Sequence, residues 1–159
     1  MNINLAEVHV DGKNIAVLTH LNTQEILENG ISSSVIIGHY ESTPYKDELK
    51  FDKASGFTPN KNYHTTINGF CEKILAKDPS TLEEAEGIEN GWLYIIDQRT
   101  PTPETTVPPE DIIGAFIIED GKIKEFKSNN NHRIVTNNGV TNFGRDKEEQ
   151  YLSYLLKLR

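Results

Sequence analysis

The chain has 159 residues, a formal net charge of -8 and an apolar fraction of 36%. This length fits one domain of about 100–150 residues. The single cysteine, Cys71, excludes an intramolecular disulfide and so excludes a disulfide-built secreted fold. The acidic excess argues against nucleic-acid binding and against binding to an anionic membrane, since both need clustered Lys and Arg.

The N-terminal ten residues do not have the pattern of a signal peptide, because they carry Glu7 and have neither a basic start nor a long apolar run. The longest apolar runs, such as 92–96, are far shorter than the ~20 residues that span a bilayer. We therefore expect a soluble, cytoplasmic protein. Frequent Asn, Lys and Ile favour a bacterial source.

The first predicted element is a hairpin. Asp11-Gly12 separates two apolar-rich runs, and this pair is typical of a two-residue type I′ turn. Such a turn places Val8 opposite Ile15 on the face directed to the core. His9 then points to the opposite, solvent side.

A short helix and a strand follow the hairpin. Asn22 and Glu25 have the spacing of a capping box, and Asn29-Gly30 is a stop signal, so we expect about two helical turns between them. The segment 33–40 is predicted to be a strand. The polar segment 39–63 is irregular, with a short strand expected at 48–52.

Two helices are predicted next. The first runs from about Thr65 to Lys77 and ends before Pro79, and a capping box that starts at Ser80 opens a second helix that ends at Gly87. The first helix has an apolar stripe with helical spacing, formed by Ile67, Phe70, Cys71, Ile74 and Leu75.

The C-terminal half predicts mainly strands. Residues 92–96 form an unbroken apolar run, which suits a strand buried on both faces. The proline-rich segment 100–110 is expected to be an extended loop. Hairpins are predicted at 112–126 and 132–143, around an Asp-Gly and an Asn-Gly pair. A final helix, capped by the preceding aspartate, is predicted at 147–158.

Together these elements predict one α+β domain covering residues 1–159. It would contain a mainly antiparallel sheet built from hairpins, with three to four helices packed on it.

The chain has none of the common catalytic signatures. It lacks phosphate-binding glycine loops, a nucleophile elbow, and His or Cys pairs with metal-ligand spacing. We predict no cofactor and no metal site, and we favour a protein that is not an enzyme. Cys71 could pair with His39 or His64 as a thiol nucleophile, but its place on the apolar stripe favours a structural role.

Three other groups of residues are candidates for chemistry. His64 begins a His-Thr-Thr sequence that is half of a two-histidine phosphoesterase motif. Asp97 follows the apolar run 92–96, where polar residues can form a site, although pairing with Arg99 is the simpler interpretation. The asparagine-rich run 129–133 could bind a ligand through its amides, but such runs are more often turns.

The charge is unevenly distributed along the chain. Residues 78–120 contain eleven acidic side chains and one basic side chain, Arg99, whereas the remainder has thirteen acidic and fifteen basic ones. Such an excess can steer a basic partner onto one face and raise its association rate.

The leading hypothesis is therefore a non-catalytic bacterial binding or inhibitor protein of the immunity type, which uses an acidic surface to bind a basic protein partner. The predicted partner-binding residues are Glu83, Glu84, Glu86, Glu89, Glu104, Glu110 and Asp111. One alternative is a small hydrolase that uses a histidine with a carboxylate, such as His64 or His132 with Asp97. Another is a small-ligand or peptide binder that uses the aromatic residues between Tyr40 and Tyr63. The sequence leaves the oligomeric state open.

Overall fold

A computed structural model of the protein describes residues 1–44, 49–99 and 106–158. In this part of the chain every strand pairing is antiparallel, and the strands form sheets of four, three and two strands. With four α-helices beside these sheets, the predicted α+β class built from antiparallel hairpins is confirmed.

The described elements have the following bounds. The strands are β1 (Asn4–Val10), β2 (Lys13–Thr19), β3 (Ile36–Tyr40), β4 (Phe57–Pro59), β5 (Gly91–Ile96), β6 (Ile112–Glu119), β7 (Lys122–Ser128), β8 (Val135–Thr136) and β9 (Gly139–Val140). The helices are α1 (Thr23–Asn29), α2 (Tyr63–Lys73), α3 (Pro79–Ile88) and α4 (Glu148–Lys157).

The chain divides into two compact units, and each is described by itself. Unit 1 comprises Met1–Thr66, Ile134–Val140 and Arg145–Arg159, and unit 2 comprises Ile67–Arg133 and Thr141–Gly144. The organisation as one domain over 1–159 stays a prediction.

The N-terminal hairpin of unit 1 forms as its turn sequence predicts. Asp11 and Gly12 have φ values of 50° and 78°, the left-handed conformation that a type I′ turn requires. The register places Val8 opposite Ile15, and His9 is exposed. The complete sheet has the order β1-β2-β3-β4.

Helix α1 begins with the predicted capping box. The Glu25 amide donates to Asn22 Oδ1 at 2.8 Å, and the Asn22 amide donates to Glu25 Oε1 at 2.9 Å. Helix α4 is less well capped: its N-cap is Lys147, with no side-chain capping bond, in place of the predicted aspartate. Its buried residues are Tyr151 and Leu155.

The predicted strand at 48–52 is replaced by a strand nearer to α2. Residue 48 lies outside the described residues, and residues 49–52 do not form a strand. Strand β4, Phe57–Pro59, pairs with β3 instead. Phe57 lies directly over Gly38, where an added Cβ would be 2.3 Å from the aromatic ring. The ring of Phe57 therefore packs where only a glycine leaves enough room, and this contact joins residues that are far apart in the sequence.

In unit 2 the start of α3 differs from the prediction. The N-cap is Asp78, whose side chain accepts from the Thr81 amide, and not Ser80. Pro79 occupies the first helical turn, where its missing N–H costs nothing. Helix α2 is shorter than predicted and is followed by a 3-10 turn at Leu75–Lys77.

The sheet of unit 2 has the order β5-β6-β7. The predicted Asp-Gly turn joins β6 to β7, with φ values of 52° at Asp120 and 72° at Gly121. The ring of Phe126 covers Gly114, where an added Cβ would be 2.7 Å from the ring and 2.5 Å from the Lys127 carbonyl oxygen. Buried side chains from α2, α3 and β6 form the core of this unit: Ile67, Phe70, Cys71, Ala85, Ile113, Phe116 and Ile118.

Candidate functional site

Helix α3 gathers four of the predicted acidic residues. Glu83, Glu84 and Glu86 are exposed on the helix, and Glu89 is exposed just after its last turn. No Lys or Arg occurs between residues 78 and 98. The helix and the strand that follows it therefore carry only negative charge.

Of the other three predicted partner-binding residues, one is buried, one is half-buried and one lies outside the described residues. Asp111 is buried, and its Oδ1 accepts from Arg99 Nε at 2.9 Å, so Asp111 does not belong to the exposed acidic surface. Glu110 is half-buried, and its carbonyl oxygen accepts from Arg99 Nη2 at 2.8 Å. Glu104 lies outside the described residues.

Lysines interrupt the negative charge on one side of α3. A groove of about 470 Å³ between the helices and β7 is lined by Glu86 together with Lys77, Lys122 and Lys124. Lys124 also forms an ion pair of 2.9 Å with Glu119, in which both side chains are more than half exposed. An exposed pair of this kind contributes only about 0–1 kcal/mol to stability. Its lysine nevertheless offsets the negative potential on this side.

Strand β5 differs most from its prediction. It lies at the edge of the three-stranded sheet, and its side chains are not buried on both faces. Trp92 is 49% exposed and Tyr94 is 57% exposed, and their rings are stacked with centroids 6.4 Å apart and planes inclined by 24°. Residues two apart on a strand point to the same face, so the two rings form one aromatic surface.

The sheet register defines the rest of this outer face. Trp92 lies opposite Ile117 on β6, and Ile117 lies opposite Glu125 on β7. In the next row, Tyr94 lies opposite Ala115, which is only 3% exposed and in turn lies opposite Lys127. The outer face thus has aromatic rings on the edge strand, small or aliphatic side chains in the centre and charged side chains on the far strand. We call this surface the outer sheet face.

Sequence patterning missed Trp92 and Tyr94 because an unbroken apolar run does not show which face is covered. A signal was present, however. Trp92 and Tyr94, whose aromatic side chains each carry one polar group, alternate with Leu93 and Ile95, which are less exposed. Trp and Tyr are the aromatic residues that tolerate partial exposure best.

The hydrolase alternative depends on a histidine beside a carboxylate, and the structure brings His132 and Asp97 together. His132 Nε2 lies 3.0 Å from Asp97 Oδ2, but both side chains are at most 1% exposed. Asp97 Oδ1 also accepts from the Asn142 amide at 2.9 Å. The pair is enclosed and engaged in protein contacts, so the geometry favours a structural role.

Arg99 completes this buried cluster, which comprises Asp97, Arg99, Asp111 and His132. Its guanidinium lies between two carboxylates, 3.4 Å from Asp97 and 2.9 Å from Asp111. The cluster joins the chain after β5 to the segment before β6 and to the turn after β7. The predicted pairing of Asp97 with Arg99 is therefore present.

The remaining candidates are also engaged in structural contacts. Cys71 is buried in the core of unit 2, and burial raises the pKa of its thiol. The Asn129 amide group donates to the carbonyl oxygens of Pro109 and Ile112, each at 2.8 Å, so this side chain holds the turn. In the described part of the predicted aromatic stretch, Tyr40, Phe57 and Tyr63 are buried, whereas Tyr45 lies outside the described residues.

His20 lines a cleft of about 480 Å³ in unit 1, together with Glu148 and Arg145. Its Nδ1 lies 2.8 Å from the Asn2 carbonyl oxygen and therefore carries the proton that this contact requires, whereas Nε2 is buried with no hydrogen-bond partner. Burial lowers the pKa of His20. A neutral imidazole is consequently favoured in the folded protein.

Comparisons with models of known protein families, with curated proteins and with solved structures found no match. Among the helices of the described residues, none is long and apolar enough to cross a membrane. Within the same ranges, no group of three or more His, Cys, Asp or Glu side chains is placed to hold a metal ion. The stacked and half-exposed rings of Trp92 and Tyr94 make the outer sheet face the candidate functional site.

Proposed function

We propose that this protein is a binding module that holds a basic segment of a partner protein against the outer sheet face of unit 2. The observation that carries the proposal is the stacked, half-exposed pair Trp92 and Tyr94 on the edge strand. Large aromatic residues dominate the binding energy of protein interfaces, and Trp and Tyr are the commonest of them. Leaving both rings in water forfeits about 1–3 kcal/mol of burial per ring, which a partner would recover.

The charge of unit 2 supports a basic partner. The unit contains thirteen acidic and seven basic residues, and one of those basic residues, Arg99, is buried. The lysines of β7 lie two strands away from β5, a separation of about 10 Å. A Lys or Arg of the partner can stack on the exposed rings, a contact worth about 0.5–2 kcal/mol.

The exposed glutamates of α3 have a different part in this proposal. Helix α3 contacts β5 and β7. It lines the groove together with Phe116 and Phe126, whose side chains lie on the other side of the sheet from the outer sheet face. Glu83 and Glu84 therefore act by long-range attraction that raises the association rate, without contacting the bound segment. A basic protein partner, as expected from the sequence, has a charge opposite to the net charge of unit 2.

Trp92 is the only tryptophan, so its fluorescence reports directly on the proposed site. We expect short Arg- and Lys-rich peptides to shift or quench its emission, and peptides with Glu in place of Arg and Lys to leave it unchanged. Binding should weaken between 50 and 500 mM salt, because the attraction between exposed charges is screened.

A pair of variants separates the aromatic surface from general exposure. Tyr94→Ala should weaken binding by about 2 kcal/mol, the loss typical of an interface hot spot. Leu27→Ala is the matched control, since Leu27 is an 81% exposed apolar residue of unit 1, and it should bind normally. Equal binding by the two variants would refute the proposal. A response of Trp92 to a neutral oligosaccharide, with none to basic peptides, would refute it too.

A further inference from the structure

We propose that the basic segment binds in an extended conformation along the edge of β5, as a fourth strand of the sheet in unit 2. This inference rests on the proposed function and specifies how the partner is held. The evidence for it is the main chain of β5, whereas the evidence for the proposed function is the exposed side chains of the same strand.

Within the described ranges, the outer edge of β5 has main-chain groups that have no hydrogen-bond partner. In an antiparallel pair, alternate residues direct their N–H and C=O groups away from the partner strand. Among the residues that the structure describes, the main chain of 92–95 is hydrogen-bonded only to β6, and the next carbonyl, that of Ile96, accepts from Gln98 Nε2 at 3.2 Å. The edge therefore offers a ladder of donors and acceptors to another extended chain.

This edge also lacks most of the features that normally prevent strand addition. Exposed edges are usually protected by lysines, prolines, inward charges or bulges along the strand. Gly91–Ile96 contains no charged residue and no proline, and its register shift lies at the far end, between Ile95 and Ile96. A strand of Trp, Leu, Tyr and Ile with an unprotected edge would invite aggregation unless a partner used it.

Charge selects the occupant of the edge. A second copy of this chain would bring residues 78–98, which carry no Lys or Arg, against the same acidic segment of the first copy. The two α3 helices would then repel each other. A basic segment gains attraction in the same position, so the observations favour it over self-association.

The spacing of the two rings sets the pattern of the bound segment. Alternate residues of a strand repeat every 6.6–6.8 Å or so, and the centroids of Trp92 and Tyr94 are 6.4 Å apart. Side chains two apart on an added strand therefore lie beside successive rings. We infer a segment in which Arg or Lys alternates with aliphatic residues, with the basic residues beside the rings.

The test uses a capped peptide of sequence Arg-Val-Arg-Val-Arg-Val and two versions with N-methyl groups on alternate amides, one on the arginines and one on the valines. An N-methyl group removes a donor and blocks the edge that carries it. In the antiparallel orientation, which all strand pairs of the described residues adopt, only one edge of the added strand faces β5 with the arginines beside the rings. One version should therefore bind at least about tenfold more weakly than the parent, and the other should bind like it. Trp92 fluorescence measures binding, and hydrogen exchange should show new protection of amides within 92–96.

The outcomes distinguish this inference from the proposed function. If the parent and both methylated peptides bind equally, strand addition is wrong and side-chain recognition stands. If none of the three affects Trp92 and other basic peptides do not either, the proposed function fails as well. If the protein alone is a dimer whose β5 amides are already protected, a second copy occupies the edge and the inference is overturned.

Discussion

Replacing Arg99 by Met tests whether the buried cluster holds unit 2 together. The guanidinium is 1% exposed, and the two carboxylates beside it, those of Asp97 and Asp111, are 0% and 2% exposed. Removing the cation takes an ion-pair partner away from both buried carboxylates. Breaking a buried ion pair in this way costs about 3–5 kcal/mol, a large share of the 5–15 kcal/mol or so that stabilises a typical protein.

The assay is urea unfolding followed by the emission of Trp92, which reports on unit 2. Lys124→Met is the matched control, because it removes a cation from an exposed ion pair of the same length, 2.9 Å. That variant should lose no more than about 1 kcal/mol. If Arg99→Met is too unstable to purify, Arg99→Lys can replace it, because lysine keeps the charge but cannot contact both carboxylates as the guanidinium does. Its loss of unfolding free energy should be larger than that of Lys124→Met and smaller than the loss expected for Arg99→Met.

A double variant shows whether the loss comes from the unpaired charge. Adding Asp111→Asn to Arg99→Met removes one of the two carboxylates, so it should recover part of the stability, with a coupling of about 0.5–3 kcal/mol. An unfolding free energy for Arg99→Met within 1 kcal/mol or so of that of Lys124→Met would refute the reasoning. So would additive effects of the two substitutions.

Three further predictions concern the buried groups and the glycines. Burial lowers the folded-state pKa of His20 below its unfolded value of ~6.5. The stability that its neutral form contributes is therefore complete above pH ~6.5 and falls at lower pH, by up to about 1.4 kcal/mol per pH unit. In denaturant titrations at pH 7.5 and 5.5, His20→Asn should lose less stability on acidification than the parent. Gly114→Ala should lower the thermal midpoint, since the new methyl group would overlap Phe126, whereas Gly87→Ala, on an open helical position, should gain about 0.5–1 kcal/mol. Cys71 should react with a thiol reagent only after unfolding, because its thiol is buried and its pKa is raised.

Each of these predictions has a result that contradicts it. An equal loss of stability on acidification in the parent and in His20→Asn would remove the histidine as the cause. Equal thermal midpoints for Gly114→Ala and Gly87→Ala would show that the sheet adjusts without cost. Rapid labelling of Cys71 in the folded protein would place the thiol at a surface and reopen a reactive role.

Several elements could be predicted from the sequence because the signals that form them are local. The Asp-Gly turn at residues 11–12 requires positive φ at two successive positions, and few other pairs tolerate it, so the hairpin and its register follow directly. The capping box of α1 is also local, because Asn22 and Glu25 satisfy each other's backbone within four residues. The α+β class follows from such elements.

Tertiary structure decided everything that depends on what covers a residue. The apolar run 92–96 has a pattern that is compatible with both a central strand and an edge strand. Trp92 and Tyr94 are exposed because the strand order places β5 at the edge of its sheet. Neighbouring acidic residues likewise have different surroundings, since Glu110 is half-buried whereas Asp111 is enclosed beside Arg99. Contacts between residues far apart in the chain set these differences, and local propensity carries no information about them.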